Sequence, residues 1–315
     1  MSVFAYIRKN IVLLGAFAAN LGIAIAKFVA ASITGSSSML SEGIHSVVDS
    51  MNQLLLLYGE HRADRPANRA HPFGYGRELY FWAFVVAILI FGLGAGLSFY
   101  EGFKHYIDPE ELRDPTVNYI VLGVAMLLEG TSWFIAIREF SARKGKLGWW
   151  SAMRRSKDPS LFVVVFEDSA ALAGLIVAAI GIWASHYYNA PQLDGAASMV
   201  IGVILAMVAV LLAREAKGLL IGEAADVEVV DKIRHIVGEQ EWITSVNHVR
   251  TLHTSPRKIF AAISADMVDS ISIGEAEQLI EELEQELIAQ IPELTSIYVR
   301  PEKRENAILP PGEVA

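Results

Sequence analysis

Polar side chains with metal-binding chemistry lie inside apolar stretches of this chain. In the run 40–58, four of them recur at steps of three and four residues: Glu42, His45, Asp49 and Asn52. Residues at that spacing lie on one face of an α-helix. A second run, 161–183, carries the adjacent acids Glu167 and Asp168. Imidazole and carboxylate groups bind divalent transition metals, so the pattern predicts a metal site between two helices.

The helices that carry these residues are predicted to cross a lipid bilayer. Of the 315 residues, 53% are hydrophobic, and the excess is concentrated in runs of about the 20 residues that a spanning helix needs. Six runs qualify: 11–33, 40–58, 80–100, 117–137, 161–183 and 197–213. A charge at the bilayer centre costs about 2.5–3.5 kcal/mol, so the acids need partners. The first run is too long for a signal-peptide core, so we predict that it is a span.

Composition excludes several classes of protein. Cysteine is absent, so a bound metal must use imidazole, carboxylate or carbonyl ligands. The net charge is −9, whereas nucleic-acid binding needs a basic face, so no nucleic-acid partner is expected. The chain has neither the His-Glu-x-x-His motif of a metalloprotease nor a nucleophilic serine elbow. We therefore expect that it is not an enzyme.

Lysine and arginine are concentrated in alternate loops between the predicted spans. These cations precede span one, or lie between spans two and three or four and five: Arg8, Lys9, Arg62, Arg65, Arg69, Arg77, Arg143, Lys144, Lys146, Arg154, Arg155 and Lys157. The opposite loops hold few cations, and the loop 35–38 holds none. Because cytoplasmic loops carry the excess of positive charge, both termini are predicted to face the cytoplasm.

The last hundred residues have the composition of a soluble domain. The predicted elements are, in order, a helix at 226–238, strands near 246–253 and 259–267, a helix opened by the capping-box pattern Ser272-x-x-Glu275, and a strand at 297–299. This αββαβ order predicts a ferredoxin-like α+β domain with its helices on one face of a small sheet. A second copy of the chain is expected to cover an edge or face of that sheet.

The predicted architecture is thus an α-helical membrane protein with a cytoplasmic α+β domain. We place a six-helix transmembrane transport domain at 1–218, a dimerisation domain at 219–302 and a disordered tail at 303–315.

Several motifs occur in a specific order along the chain. They are the stretch 34–49 (TGSSSMLSEGIHSVVD), the stretch 71–78 (HPFGYGRE), Asp194, and the stretch 219–223 (LLIGE). With the six spans and the αββαβ order, the chain resembles the cation diffusion facilitator family of metal/proton antiporters over nearly its whole length. It is most similar to the branch that includes zinc transporter nine, because of Asp158-Pro159-Ser160, Glu167-Asp168 and Thr251-Leu252-His253.

The resemblance implies a transport site to which spans two and five each contribute two residues four apart. Span two supplies His45 and Asp49. Span five supplies Asp168, but the position four residues earlier is Val164, which cannot bind a metal. Candidates for the missing ligand are Glu167, Glu42 and water. A more oxygen-rich site shifts the preference from zinc toward manganese or iron.

The implied function is export of a divalent ion from the cytoplasm in exchange for protons, by alternating access. The ion is expected to be zinc, with manganese or iron as alternatives, and no other cofactor is expected. The partners are then the ion, protons, the lipid bilayer and a second copy of the chain. No transit peptide is recognised, which favours a bacterial inner (plasma) membrane. The alternative is a transport-inactive relative that senses metal or acts as a scaffold, which the valine at 164 favours.

Other polar residues have more than one interpretation. Asn52 is a further candidate for metal binding or proton coupling, and Glu129 in span four is a candidate proton relay or a satisfied buried acid. His71 lies in an arginine-rich loop, where a capping role competes with metal binding. The polar face of span two could instead be a seam of interhelical hydrogen bonds, and Asp168 could be a structural partner of Lys27.

Overall fold

The computed structural model describes residues 11–110, 114–145, 148–149, 152 and 157–307. Its long helices in this part of the chain are α1 (Ile11–Thr34), α2 (Ser37–Ala63), α3 (Glu78–Ile107), α4 (Thr116–Lys144), α5 (Pro159–Tyr188) and α6 (Gln192–Ile221). The residues of α3 from Ile90 to Ala95 form a π-helical turn. The loop cations Arg8, Lys9, Lys146, Arg154 and Arg155 lie outside the described residues.

The first part of the chain is a helical transmembrane domain. Within the described residues, α3, α4, α5 and α6 are each long and apolar enough to cross a bilayer. The apolar stretch of α1, Asn20–Thr34, is shorter than these four. Helix α2 carries polar side chains on its buried face. Four clear spans are therefore found, and the count of six stays a prediction.

The side chains of these helices are distributed as expected for a protein surrounded by lipid. Large apolar side chains point outward, such as Leu127, which is 73% exposed, and Ile120, which is 62% exposed. Charged side chains point inward, such as Lys27 and Glu42, both fully buried. Polar groups in a bilayer must be satisfied inside the protein, so these charges have to pair with one another.

The amino-terminal turn of α2 is held by Asp194 in the first turn of α6. The Asp194 carboxylate accepts hydrogen bonds from the backbone N–H groups of Ser37 (2.5 Å) and Ser38 (3.2 Å). It also accepts from the hydroxyl groups of Ser36 (3.0 Å) and Ser38. The turn that precedes α2 contains Gly35, whose positive φ of 74° favours glycine. Because Asp194 satisfies free N–H groups of the first turn, it fixes the start of the helix that carries the polar face.

The soluble part has the predicted order of elements: α7 (Val227–Gly238), β1 (Ile243–Ser255), β2 (Lys258–Met267), α8 (Ile273–Gln290) and β3 (Leu294–Pro301). The sheet order is β1-β2-β3, with β1 antiparallel and β3 parallel to β2. Alternate residues of β2, including Ile259 and Ile263, pack with Ile233 of α7 and Leu283 of α8 in one core. Both helices thus cover one sheet face. The helix–strand order is confirmed, whereas the assignment to the ferredoxin-like class stays a prediction.

The predicted capping box at the start of α8 is confirmed. The Ser272 hydroxyl accepts a hydrogen bond from the N–H of Glu275 at 3.3 Å, and the Glu275 carboxylate accepts one from the N–H of Ser272 at 2.9 Å. The bonds from the backbone and side chain of Ser272 hold the pKa of Glu275 below its usual range. The predicted reciprocal pattern thus satisfies free groups at the helix start.

The chain divides into two compact units. The first contains most of the six long helices, and the second contains the chain from Gly218 onward together with the loop Ala63–Arg77 and Lys157. The predicted tail 303–315 is partly ordered, because Arg304–Asn306 forms a short 3-10 turn and the Arg304 N–H donates to Asp266 at 3.0 Å. Residues 308–315 lie outside the described part.

Candidate metal centre

The polar face predicted for α2 points into the helical unit. Glu42 and Asn52 are fully buried and His45 is 2% exposed, while Asp49 is partly buried. Residues at steps of three and four share a helix face, and burying that face explains why these side chains are shielded from the surroundings. The prediction that all four lie together is therefore confirmed, and their partners decide what each can do.

Asp49 and Asn52 both contact Glu167 of α5. The Asn52 Nδ2 donates to Glu167 Oε1 at 2.6 Å, and the carboxyl group of Asp49 lies within hydrogen-bonding reach of Glu167. Glu167 is only 3% exposed. Two carboxyl groups can share a hydrogen bond only if a proton lies between them, because an ionised carboxylate is an acceptor only. This pair of acids can therefore share one proton.

Asp168 lies beside this pair but has a different partner. Its Oδ2 accepts a hydrogen bond from the Ser132 hydroxyl of α4 at 2.9 Å. Its charge still acts on Asp49 and Glu167. The structure thus brings Glu167 of α5 to Asn52 and Asp49 of α2, whereas Asp168 is bonded to α4.

The rotation of α5 explains this arrangement. Val164, one turn before Asp168, packs in an apolar cluster with Ala136 and Phe140 of α4. Val163, one turn before Glu167, is fully buried. The residue of α5 that meets Asn52 and Asp49 of α2 is therefore Glu167, whereas the resemblance led us to expect Asp168 with Glu167 as a substitute.

Lys27 of α1 is a buried cation whose partners the sequence reasoning missed. Its ammonium donates to Glu42 Oε2 at 3.0 Å, to Glu129 Oε1 at 3.0 Å and to the Ser46 hydroxyl at 2.8 Å. The alternative that Asp168 is its structural partner is wrong in this structure. Glu42 and Glu129 are thus ion-paired acids, and a lone lysine in an apolar helix was the signal that an acid would lie opposite it.

His45 has no hydrogen-bond partner for either ring nitrogen among the described residues, although both nitrogens are buried. A buried polar atom without a partner is rare and calls for an explanation, of which ligand binding is one. However, no three His, Asp or Glu side chains in the described ranges converge closely enough to hold one metal ion. Binding an ion here therefore requires the side chains of His45, Asp49 and Glu167 to rotate toward one another.

His71 does not join this group. It belongs to the other unit, where its exposed ring packs on Tyr75 with centroids 4.2 Å apart and its N–H donates to Asn68. In the soluble part, His253 is buried in β1, and burial lowers the pKa of its imidazole. His235 pairs with Glu239 at 3.2 Å on the surface of α7. The described residues of the soluble part thus contain no cluster that could bind a metal.

Two family models match the chain. The model of the cation efflux transmembrane domain matches residues 13–221, and the model of the cation efflux protein cytoplasmic domain matches residues 225–304. The first match alone covers more than half of the chain.

Several curated relatives are similar to the chain. The human mitochondrial proton-coupled zinc antiporter SLC30A9 is 30% identical over 226 residues, which is 71% of this chain and 40% of that protein. Metal tolerance protein C4 of Arabidopsis thaliana is 32% identical over 217 residues, which is 68% of this chain and 47% of that protein. The cation-efflux pump FieF of Serratia proteamaculans is 26% identical over 266 residues, covering 84% of this chain and 83% of the pump.

The chain therefore spans less than half the length of the first two relatives and most of the length of the third. The two consecutive family matches agree with a helical part followed by a part with a small sheet. The chain belongs to the cation efflux family, also called the cation diffusion facilitator family.

Proposed function

We propose that this protein exchanges a divalent metal cation for protons across a membrane, with the ion bound between α2 and α5. The observation that carries the proposal is the pair of carboxyl groups, Asp49 and Glu167, which lie within hydrogen-bonding reach of one another inside the helical unit and can share one proton. Metal ligands must be deprotonated before they bind, so an ion and that proton compete for the same oxygen atoms. This competition is the chemical basis of antiport.

His45, Asp49, Glu167 and Asp168 are the proposed ligands. His45 supplies an imidazole whose nitrogens have no other partner in the described residues, one turn from Asp49. Imidazole and carboxylates together suit zinc, while the excess of oxygen ligands also accommodates manganese or iron. The relatives include a zinc antiporter and a cation-efflux pump, which supports a metal cation as the substrate.

Alternating access supplies the rest of the mechanism. With the site open to the cytoplasm, the ion displaces the proton shared by Asp49 and Glu167. After the helices rock to open the site to the opposite side, protons displace the ion, and the protonated site returns. The cation-rich loops support a plasma-membrane orientation with both termini in the cytoplasm. The soluble unit is proposed to pair with a second copy; the 62% exposure of Tyr298 on β3 supports this pairing.

A transport-inactive sensor or scaffold is the second candidate. It is favoured by one observation, that no three ligand side chains in the described residues converge on one point. The two candidates differ in a direct assay of transport.

That assay uses the full-length protein in proteoliposomes with an acidic interior. We expect uptake of zinc, and to a lesser extent manganese or iron, at about ten times the rate of protein-free liposomes. The uptake should stop when an ionophore removes the pH gradient. If neither zinc, manganese, iron, cobalt nor cadmium enters in a pH-dependent manner, the antiporter proposal is wrong and the scaffold is preferred.

The preferred ion tests which face of α5 forms the site. Val163→His places an imidazole one helical turn before Glu167, at a fully buried position of α5. We expect this change to raise the ratio of zinc to manganese transport about tenfold, since an added nitrogen ligand favours zinc. Val164→His is the matched control and is expected to leave the ratio unchanged, because Val164 packs against α4. A shift with Val164→His alone would place the ion on the other face.

A further inference from the structure

Lys27 of α1 is held at one position inside the helical unit by acceptors on two other helices. Its side chain is fully buried, and its ammonium donates to three acceptors on two other helices: Glu42 and Ser46 of α2, and Glu129 of α4. An ammonium has three N–H donors, so all of them are used. Such a group keeps one position, because leaving any of these partners would expose a buried charge.

The ammonium is also adjacent to the proposed ion. Glu42 lies one turn before His45, and Ser46 directly follows His45. The charge of Lys27 acts on both His45 and Asp49. Glu129 acts in turn on Asp49 and Asp168. A bound divalent ion and the lysine charge would therefore repel each other inside a poorly screened site.

The ion pairs with Lys27 keep the carboxylates of Glu42 and Glu129 from binding the transported cation. One further oxygen of each, Glu42 Oε1 and Glu129 Oε2, is buried without a hydrogen-bond partner in the described residues. Without the ammonium, two more carboxylates would be available to a cation beside His45. The Lys27 ammonium occupies them and so keeps the ligand set small.

We propose that Lys27 is a fixed counter-charge that limits the affinity of the transport site for its ion and so allows the ion to leave. The proposal rests on the proposed antiport and identifies a residue that sets its affinity. A carrier that bound its ion as tightly as the available acids permit would release it slowly. With Lys27 present, the site would bind the ion less tightly and release it faster.

The test compares equilibrium binding with transport. In full-length Lys27→Gln, we expect the dissociation constant for zinc, measured by titration calorimetry in detergent, to fall about tenfold or more. The maximal rate of zinc uptake in proteoliposomes should fall by a similar factor, because release becomes limiting. Lys104→Gln is the matched control: this lysine is exposed at the end of α3, and its loss should change neither quantity.

A structural role predicts the opposite pattern. If Lys27→Gln lowers transport and the unfolding temperature while the dissociation constant stays the same or rises, the counter-charge proposal is overturned. If Lys27→Gln does not fold, Glu129→Gln is compared with the double variant Lys27→Gln/Glu129→Gln, in which an acid is removed with the lysine. The double variant must then bind zinc about tenfold more tightly than Glu129→Gln; equal affinity overturns the proposal.

The wild type separates the two levels of inference. If it neither binds nor transports any of the five ions, the proposed function fails and the role of Lys27 fails with it. If the wild type binds and transports zinc but Lys27→Gln binds it with unchanged affinity, only the counter-charge is wrong.

Discussion

Replacing Asp49 with asparagine is expected to lower pH-driven zinc uptake about 100-fold or more, with little change in thermal stability. Mutating a residue that only hydrogen-bonds to a metal ligand already lowers metal affinity or activity about 10–100-fold. Asp49 is a proposed direct ligand, so its loss should cost more. An asparagine of the same shape can still donate a hydrogen bond to Glu167, so the contact between α2 and α5 persists. It provides neither a negative charge nor a site for the exchangeable proton.

The measurement is the initial rate of zinc uptake in proteoliposomes with an acidic interior, at equal amounts of reconstituted protein. Asp114→Asn is the matched control, because Asp114 is an exposed acid of the same unit whose hydrogen bonds within the described part of the chain come from Thr116. We expect the control to transport at the wild-type rate and both variants to unfold near the wild-type temperature. If Asp49→Asn transports zinc at the wild-type rate, Asp49 is not a ligand of the transported ion. The family assignment, which rests on the sequence matches, would be unchanged.

The sequence was sufficient to identify the face of α2 that carries the candidate site. Glu42, His45, Asp49 and Asn52 recur at helical spacing in an apolar run, and a polar stripe in lipid has to face the protein interior. The elements of the soluble part were equally accessible, because the capping pattern Ser272-x-x-Glu275 and alternating apolar residues are local signals. These predictions needed no knowledge of how one helix packs on another.

The choice between Glu167 and Asp168 could not be made in that way. Adjacent residues differ by about 100° around a helix, so the rotation of α5 about its axis decides which of the two acids points toward α2. The rotation of α5 is decided by packing: Val164 joins an apolar cluster with Phe140 of α4, and this brings Glu167 toward α2. Tertiary contacts of this kind leave no pattern in the sequence of α5 itself.

The partners of Lys27 were hidden for a related reason. A buried lysine requires acids, but the chain has several acids in its spans, and sequence separation does not rank them. The structure pairs Lys27 with Glu42, 15 residues away, and with Glu129, 102 residues away. The packing of α1 against α2 and α4 decides the pairing, and the alternative pairing with Asp168 was wrong for that reason.

Removing the side chain of Asp194, which is fully buried in the first turn of α6, is expected to destabilise the helical unit by several kcal/mol. Asp194→Ala leaves the N–H groups of Ser37 and Ser38 and the hydroxyl of Ser36 without their buried acceptor. Each unsatisfied buried donor costs about 1–3 kcal/mol, so three of them set a lower limit of about 3 kcal/mol. Because single substitutions rarely cost more than about 5 kcal/mol, we expect a total loss of about 3–5 kcal/mol. The start of α2 would then be free to move, and transport should fall as well.

The measurement is the midpoint of thermal unfolding in detergent, followed by the zinc uptake assay. Asp114→Ala is the matched control, since Asp114 also accepts hydrogen bonds at the start of a helix but is exposed, and it should cost only about 0.5–1 kcal/mol. The hydrogen bonds from Thr116 hold the pKa of Asp114 below its usual range. Because Asp114 is exposed, water can bond to the Thr116 donors when the carboxylate is removed. Asp194→Asn retains one acceptor oxygen and should recover part of the stability. Equal unfolding midpoints for Asp194→Ala and Asp114→Ala would show that Asp194 does not anchor α2.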